Sequence, residues 1–250
     1  MIFVHGWGVD ADVWREQAGF FGSLFDVLAV NLPGHGGRAP LSGERLTIEK
    51  CGVDLAETIR GKNLKNVNLV GWSLGAQVIC HAAKELGDVR SLSIVGGTPC
   101  FTAPEDGDSW ATPRVKALWF QRTMKNDFQN NLRKFIMAFF ESEKELDEAA
   151  AYRIKAAFFG EHFPPDEKSA LELLDDLGVS DIRGILGRLE MPSILIHGAR
   201  DRIVPVEVTG IWEGLLPHAR AAVFPDCGHA PFITCPEKFN GILKKFLLEI

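Results

Sequence analysis

The sequence predicts an α/β fold, a mostly parallel, doubly wound sheet with a helical block inserted into it. Continuous apolar runs of four to six residues alternate with amphipathic helical patterns in the first hundred and the last sixty residues. Runs of that length suit parallel strands covered on both faces, and the βαβα succession suits a doubly wound sheet. From about Pro99 to Leu189 strand signals stop, charge density rises and only helical patterns remain. With 250 residues, one large domain interrupted by an insertion accounts for the chain. The expected division is a core of residues 1–98 and 190–250, with a helical lid at 99–189.

In chain order, strands are predicted at Ile2–His5, Asp26–Asn31, Val67–Gly71, Leu92–Gly96, Ile194–His197 and Ala221–Phe224. Core helices are predicted at Asp12–Gly19, Ile48–Ile59, Leu74–Leu86 and Pro236–Glu249. Within the insertion, helices are expected at Lys125–Glu141, Glu143–Phe159 and, after Pro164-Pro165, Glu167–Leu177. The first strand runs straight into His5-Gly6-Trp7-Gly8, so the edge strands that would precede it are missing. Either the sheet is trimmed at that edge or the chain begins late.

Bulk properties exclude several classes of function. A net charge of −6 argues against a nucleic-acid binder, which would present a basic face. No run of roughly twenty apolar residues offers a membrane span, and the first residues lack the leader of a signal peptide. Cys51, Cys80, Cys100, Cys227 and Cys235 are scattered, with no CxxC and no metal-like pairing with histidine. An odd, dispersed set fits a reducing compartment, so a cytoplasmic protein is expected. Cys80, on a predicted helix, reads as a small buried apolar residue.

The segment that carries chemistry is Val67-Asn-Leu-Val-Gly71-Trp-Ser73-Leu-Gly75-Ala76, an apolar strand, then Gly-x-Ser-x-Gly, then a helix. A serine on so sharp a strand-to-helix turn sits in strained backbone, and the residues two before and two after it must be small. The turn lifts the hydroxyl clear of the sheet, and the helix N-terminus brings backbone N–H groups toward developing negative charge.

A serine hydroxyl needs a base, and the base needs an orienting acid. For a nucleophile on this kind of turn the chain order is serine, acid, histidine. Asp201 follows the strand Ser193-Ile-Leu-Ile-His197, and His229 follows the strand ending at Phe224, so both lie at C-terminal strand ends. Asp226 is the rival acid, although its position three residues before His229 better suits capping of the loop. Among the other histidines, His5 and His197 read as structural groups bonding neighbouring loops, and His35 as a loop residue in solvent. His81 lies on the helix after Ser73, His162 in the lid, and His218 in an exposed turn. Two backbone donors would form an oxyanion hole, the amide of Leu74 and that of Trp7 in the loop after the first strand.

Taken together, His5-Gly-Trp-Gly8, Asn31-Leu-Pro-Gly-His-Gly36, Gly71-Trp-Ser-Leu-Gly75, Thr98-Pro-Cys-Phe-Thr102 and Gly228-His-Ala-Pro-Phe232 resemble the α/β-hydrolase superfamily over nearly the whole chain. Within it, Trp7, Trp72, the Pro-Cys-Phe segment and Asn126–Gln129 through Phe135 resemble the pimeloyl-acyl-carrier-protein methyl ester esterases of biotin synthesis. The resemblance implies an α/β-hydrolase fold with an inserted lid, and hydrolysis of the methyl ester of a carrier-bound pimeloyl chain. It implies catalysis by Ser73, Asp201 and His229, with no metal or organic cofactor. Substrate contacts would fall on Trp7, Ser73, Leu74, His229 and the lid stretch Phe135, Ile136, Met137, Ala138 and Phe139. Phe135, Ile136, Met137 and Phe139 also read as an apolar helix face toward a pocket for a methylene chain.

Basic lid residues of that family are thought to meet the acidic carrier protein. Here the lid offers Arg122, Arg133, Lys134, Arg153 and Lys155 among Glu141, Glu143 and Glu145. A mixed run of this kind is ordinarily a solvated face. The expected partner is thus acyl-carrier protein, with no nucleic acid or membrane, and the chain is expected to act as a monomer. Two rival readings stand beside this one, a general carboxylesterase for small soluble esters and a ligand-binding member that does not catalyse.

Overall fold

The computed structural model of the chain describes residues 1–43, 45–102, 110–143 and 146–250. Among these, every apolar run named above is a strand of one parallel sheet: β1 (Ile2–Val4), β2 (Leu28–Val30), β3 (Val67–Trp72), β4 (Val89–Val95), β5 (Ser193–Gly198) and β6 (Ala219–Phe224). Their order is β2-β1-β3-β4-β5-β6. All residues of β3 and β5 are buried, which is why those segments read as largely apolar. β6, at the edge, is largely exposed.

Winding reverses between β1 and β3. From β1 the chain builds outward to β2, then returns to place β3 on the other side of β1. Ligands of open α/β sheets bind at such a switch point, beyond the carboxyl ends of the strands. Register sets what meets there. Val4 pairs with Gly71, so the His5–Gly8 loop and the Ser73 turn leave the sheet side by side.

Around the sheet run α1 (Arg15–Phe21), preceded by a 3-10 turn, α2 (Ile48–Gly61) and α3 (Leu74–Leu86). Between β4 and β5 lie α4 (Arg114–Asn126), α5 (Phe128–Ala138), α6 (Glu148–Phe158), α7 (Glu167–Leu177) and the short α8 (Arg183–Leu186). α9 (Val208–Leu215) joins β5 to β6, and α10 (Pro231–Thr234) and α11 (Pro236–Glu249) complete the chain. The loop holding His229 is anchored by Phe232, whose ring stacks 4.1 Å from Trp14 and packs 5.8 Å from Phe239.

Helix boundaries differ from expectation where aspartates intervene. The helix expected over Lys125–Glu141 is split at Asp127, whose carboxylate accepts from Asn130 N and starts α5. The helix expected from Glu143 begins at Glu148, because Asp147 accepts from Ala150 N at 2.6 Å. Asp166 caps α7 in the same way, 2.9 Å from Ser169 N. A side-chain acceptor at the N-cap satisfies an amide that has no partner inside the helix, and is worth about 1 kcal/mol. Glu145 lies outside the described residues.

Candidate active site

Ser73 sits between β3 and α3 with φ 55° and ψ −118°, a left-handed conformation that costs a side-chain-bearing residue about 1–3 kcal/mol. Its flanking glycines are dictated by backbone contact. A Cβ on Gly71 would lie 2.3 Å from Gly75 O, and one on Gly75 would lie 2.5 Å from His5 O and 2.7 Å from Val4 O. Both close approaches are to backbone, so no side-chain rotation relieves them. The Gly-x-Ser-x-Gly spacing is therefore the requirement for pressing the first turn of α3 against the end of β1. Ser73 N donates to Val95 O at 2.8 Å, which ties the turn to β4.

Asp201 and His229 meet beyond the ends of β5 and β6. His229 Nδ1 donates to Asp201 Oδ2 at 2.7 Å, both side chains being almost wholly buried. The other carboxylate oxygen, Oδ1, accepts from Ile203 N at 2.8 Å and Val204 N at 2.9 Å. Burial acts to raise the Asp201 carboxyl. The charge of His229 and hydrogen bonds from His197 and His229 outweigh it and hold the group well below the usual carboxylate range. With Nδ1 engaged, His229 presents Nε2, which is buried and has no hydrogen-bond partner among the described residues. The His229 ring lies 5.3 Å from that of Trp72, the neighbour of Ser73, and Trp72 Nε1 donates to His229 O at 2.9 Å.

The rival acid is placed elsewhere. Asp226 is exposed and pairs with Arg200 at 2.5 Å, so it forms a surface ion pair rather than the expected cap. His197 Nε2 donates to Val204 O at 2.8 Å and lies 3.3 Å from Asp201 Oδ2, so it also touches the acid. His5 accepts from Leu32 N through Nε2 and donates from Nδ1 to Gly6 O, joining the loops after β1 and β2. His35, expected in solvent, is instead fully buried 5.3 Å from His5, its Nδ1 donating to Pro33 O. The reason is the Pro33–Gly37 turn, which folds back beneath α7 and carries the imidazole inward. His162 and His218 are exposed, and His81 lies on α3 facing α2.

The apolar wall above Ser73 is only partly the one expected. Trp7, Trp72, Leu74, Phe135 and Phe139 line a cavity with Ser73, joined by Gln77, Thr98, Phe101, Phe120, Leu174, Leu177, Ile203 and Val204. The enclosed space is about 20 Å³, room for about one water. Ile136, though buried, packs away from this cavity, Met137 is 48% exposed, and Ala138 does not line it. Consecutive residues turn by about 100° on a helix, so 135–139 cannot share one face. The buried face of α5 is Phe128, Leu132 and Ile136, and Phe135 with Phe139, just past the helix end, lines the cavity beside it. Phe128 and Phe135 pack edge-on against Trp7, and Leu132 presses on Gly8.

Trp7 itself is buried, and its Nε1 donates to Ala170 O of α7 at 2.6 Å. Leu74 is the first residue of α3, so its amide has no acceptor within the helix. Helix geometry therefore leaves one N–H beside Ser73, and the Trp7 indole pins the loop after β1 to α7.

Sequence reasoning missed Glu143. Its Oε1 accepts from Gly228 N at 2.8 Å and from Thr234 Oγ1 at 3.3 Å. Phe139 O accepts from His229 N at 3.3 Å, and Ser142 Oγ donates to Arg200 O at 2.6 Å. The segment 139–143 thus fastens the histidine loop and the acid loop together. Burial raises the Glu143 carboxyl, offset in part by its bonds to Gly228 and Thr234. No local pattern announces this residue, which looks like one more surface glutamate. Among the described residues no group of three or more His, Cys, Asp or Glu side chains converges to hold a metal ion, and no helix is long and apolar enough to cross a membrane.

A strained serine turn at the switch point of a parallel sheet, with a buried histidine–aspartate pair beyond the carboxyl ends of the same sheet, defines a class, and the chain belongs to the alpha/beta hydrolase family, whose pattern matches residues 1–242. It is an enzyme of that family. The pimeloyl-[acyl-carrier protein] methyl ester esterase of Nitrosomonas europaea is 29% identical over 240 residues, 96% of this chain and 92% of that protein. The protein of the same name from Aeromonas hydrophila subsp. hydrophila is 30% identical over 250 residues, 99% of this chain and 94% of that one. Among solved structures, an esterase from Exiguobacterium antarcticum superposes with a TM-score of 0.86 at 20% identity, covering 98% of this chain and 91% of that one, a likeness of fold.

Proposed function

We propose that this enzyme is a cytoplasmic serine carboxylesterase of biotin synthesis that hydrolyses the methyl ester of pimeloyl-acyl-carrier protein, releasing methanol and pimeloyl-acyl-carrier protein. The observation that carries the reading is an aromatic-walled cavity closing directly over Ser73, in a chain whose full-length relatives bear that name. Residues 99–189 act as the lid over the core of 1–98 and 190–250. His229 Nε2 takes the Ser73 proton as Oγ attacks the ester carbonyl. The Trp7 and Leu74 amides receive the oxyanion, and Asp201 stabilises the imidazolium. Methanol leaves with that proton, and a water activated by His229 hydrolyses the acyl-enzyme.

For the carrier, Arg122, Arg133, Lys134 and Lys155 offer exposed cations on α4–α6. Arg133 also lies over the Phe163 ring at 4.7 Å. Arg153 donates to Ile233 O, and so contributes more to holding the histidine loop than to docking.

The test compares kcat/KM for pimeloyl-carrier methyl ester with that for short nitrophenyl esters. A clear preference for the carrier-bound ester is expected, and a preference for free small esters would assign the enzyme to general ester hydrolysis. Ser73→Ala should lose about 10⁴-fold or more in kcat on either substrate, and should not restore growth to a biotin-requiring strain that the wild type rescues.

A further inference from the structure

The loop that carries His229 is bounded by two cysteines whose sulfurs touch. Cys227 Sγ and Cys235 Sγ are 2.8 Å apart in a thiol–thiol hydrogen bond, and both cysteines are free. Cys227 lies on the loop after β6, and Cys235 lies at the start of α11. We propose that these two thiols form a reversible disulfide that switches the esterase off by drawing on the histidine loop. The proposal rests on His229 acting as the base.

Access and charge select the oxidant. Cys235 is half-buried and lines a surface cavity of about 350 Å³, shared with Glu143, Asp147, Arg200 and Asp226. Three carboxylates against one guanidinium disfavour an anionic disulfide such as oxidised glutathione, and admit a small neutral oxidant of the hydroperoxide class. Cys227 is buried, and burial, followed by its contact with Cys235, pushes its thiol up to about 12. It therefore keeps its proton, and the half-buried Cys235 is the sulfur that an oxidant entering the cavity meets first.

The chemistry balances without a further reactant. The Cys235 thiolate attacks one peroxide oxygen, the O–O bond breaks, and the departing hydroxide takes a proton to become water. Cys235 is then a sulfenic acid. The Cys227 sulfur attacks the Cys235 sulfur, the S–O bond breaks, and a second water leaves with the Cys227 proton. Two sulfurs have been oxidised by one electron each, and one hydroperoxide has been reduced.

Bond formation draws the sulfurs from 2.8 Å to about 2.05 Å. Cys227 is two residues before His229, whose amide is held only by a long 3.3 Å bond to Phe139 O. A cross-link between residues 227 and 235 strains the loop on which His229 is held, and small misplacement of the proposed base is costly, because about 1 Å can cost about 100-fold in rate. Cys51, Cys80 and Cys100 are buried away from this cavity.

The experiment treats the intact enzyme with dilute hydrogen peroxide and follows mass, peptide linkage and hydrolysis of a nitrophenyl ester. Loss of the mass of two hydrogens is expected, with a cross-link between the peptides holding Cys227 and Cys235. A fall of about ten-fold or more in kcat, with KM little changed, should accompany it and be reversed by dithiothreitol. Cys235→Ala, at the more exposed position, should keep full activity and become insensitive to peroxide, and Cys227→Ser should do the same if it folds. Absence of the cross-link, a cross-link with unchanged kcat, or equal inactivation of Cys235→Ala would each overturn the switch. An enzyme with no esterase activity even when reduced would instead sink the proposed function, and the missing activity to switch would take the proposal with it.

Discussion

At Ser73 the chain turns upon itself. Gly71 presses on Gly75, Gly75 presses on the end of β1, and Ser73 N is bonded to Val95 O, so Ser73 is fixed by backbone packed on backbone. At His229 the chain is held from outside. Gly228 N is bonded to Glu143, His229 N to Phe139, the ring to Asp201 and the carbonyl to Trp72. The proposed nucleophile is thus positioned by close backbone packing around a glycine-flanked turn, and the proposed base by side chains and amides of distant segments. Substitutions at the first should cost folding, and substitutions at the second should cost rate.

The largest effect expected is at the base. Asp201→Asn keeps the size of the side chain but removes the charge that fixes the His229 tautomer, and kcat should fall by about 10⁴-fold. The free enzyme should remain folded by circular dichroism, and wild-type kcat in this variant would show that another group orients the histidine. At the serine turn, Gly75→Ala places a methyl against two backbone carbonyls. A loss of about 3 kcal/mol or more is expected in urea unfolding, since overpacking alone costs about 1–3 kcal/mol and these neighbours cannot rotate away.

Glu143→Ala sharpens the comparison, because it touches no reacting atom. It leaves Gly228 N without its acceptor, at a cost of about 1–3 kcal/mol in stability. As a positioning residue it should lower kcat by about 10–100-fold and leave KM nearly unchanged, with partial recovery in Glu143→Gln. A change confined to KM would place it with the substrate instead.

The smallest effect is in acid. Burial above all holds His5 down to about 3 and His35 to about 4, both below the unfolded value of about 6.5. Below about pH 6.5 the unfolded chain therefore binds more protons than the folded one. Stability is full above that pH and declines as pH falls toward the folded values, by up to about 1.4 kcal/mol per pH unit for each histidine. Glu143, raised by burial, works against this at lower pH, so the slope is best read between about pH 7 and 5.5. Urea midpoints should fall over that range, and His35→Gln should flatten the slope.

The same division explains what could be read from the sequence. The sheet was legible because most strands centre on a short apolar run, and the Ser73 turn because its glycine spacing is a steric rule. Asp201 and His229 could be paired because chain order at strand ends follows from a parallel sheet. The wall of the cavity was legible only where one helix face supplies it. Phe135 and Phe139 lie a turn apart and point inward, whereas treating 135–139 as a block carried Met137 into the pocket against the helical period. Phe120, Leu174 and Val204 come from three separate segments, and His35 is buried by a turn whose partners lie in α7. Contacts between elements leave no pattern along a single stretch of chain.

The cavity over Ser73 has one more consequence, and it concerns time rather than shape. A space of about 20 Å³ holds about one water and no acyl chain. An acyl chain enters by displacing rings, not by displacing a pool of water. On the proposed function, Phe120, Phe135 and Phe139, which line that space, have to swing aside for an ester to reach Ser73. Substrate entry on that reading waits on ring motion, so a slower-moving wall would lower the rate even at high substrate.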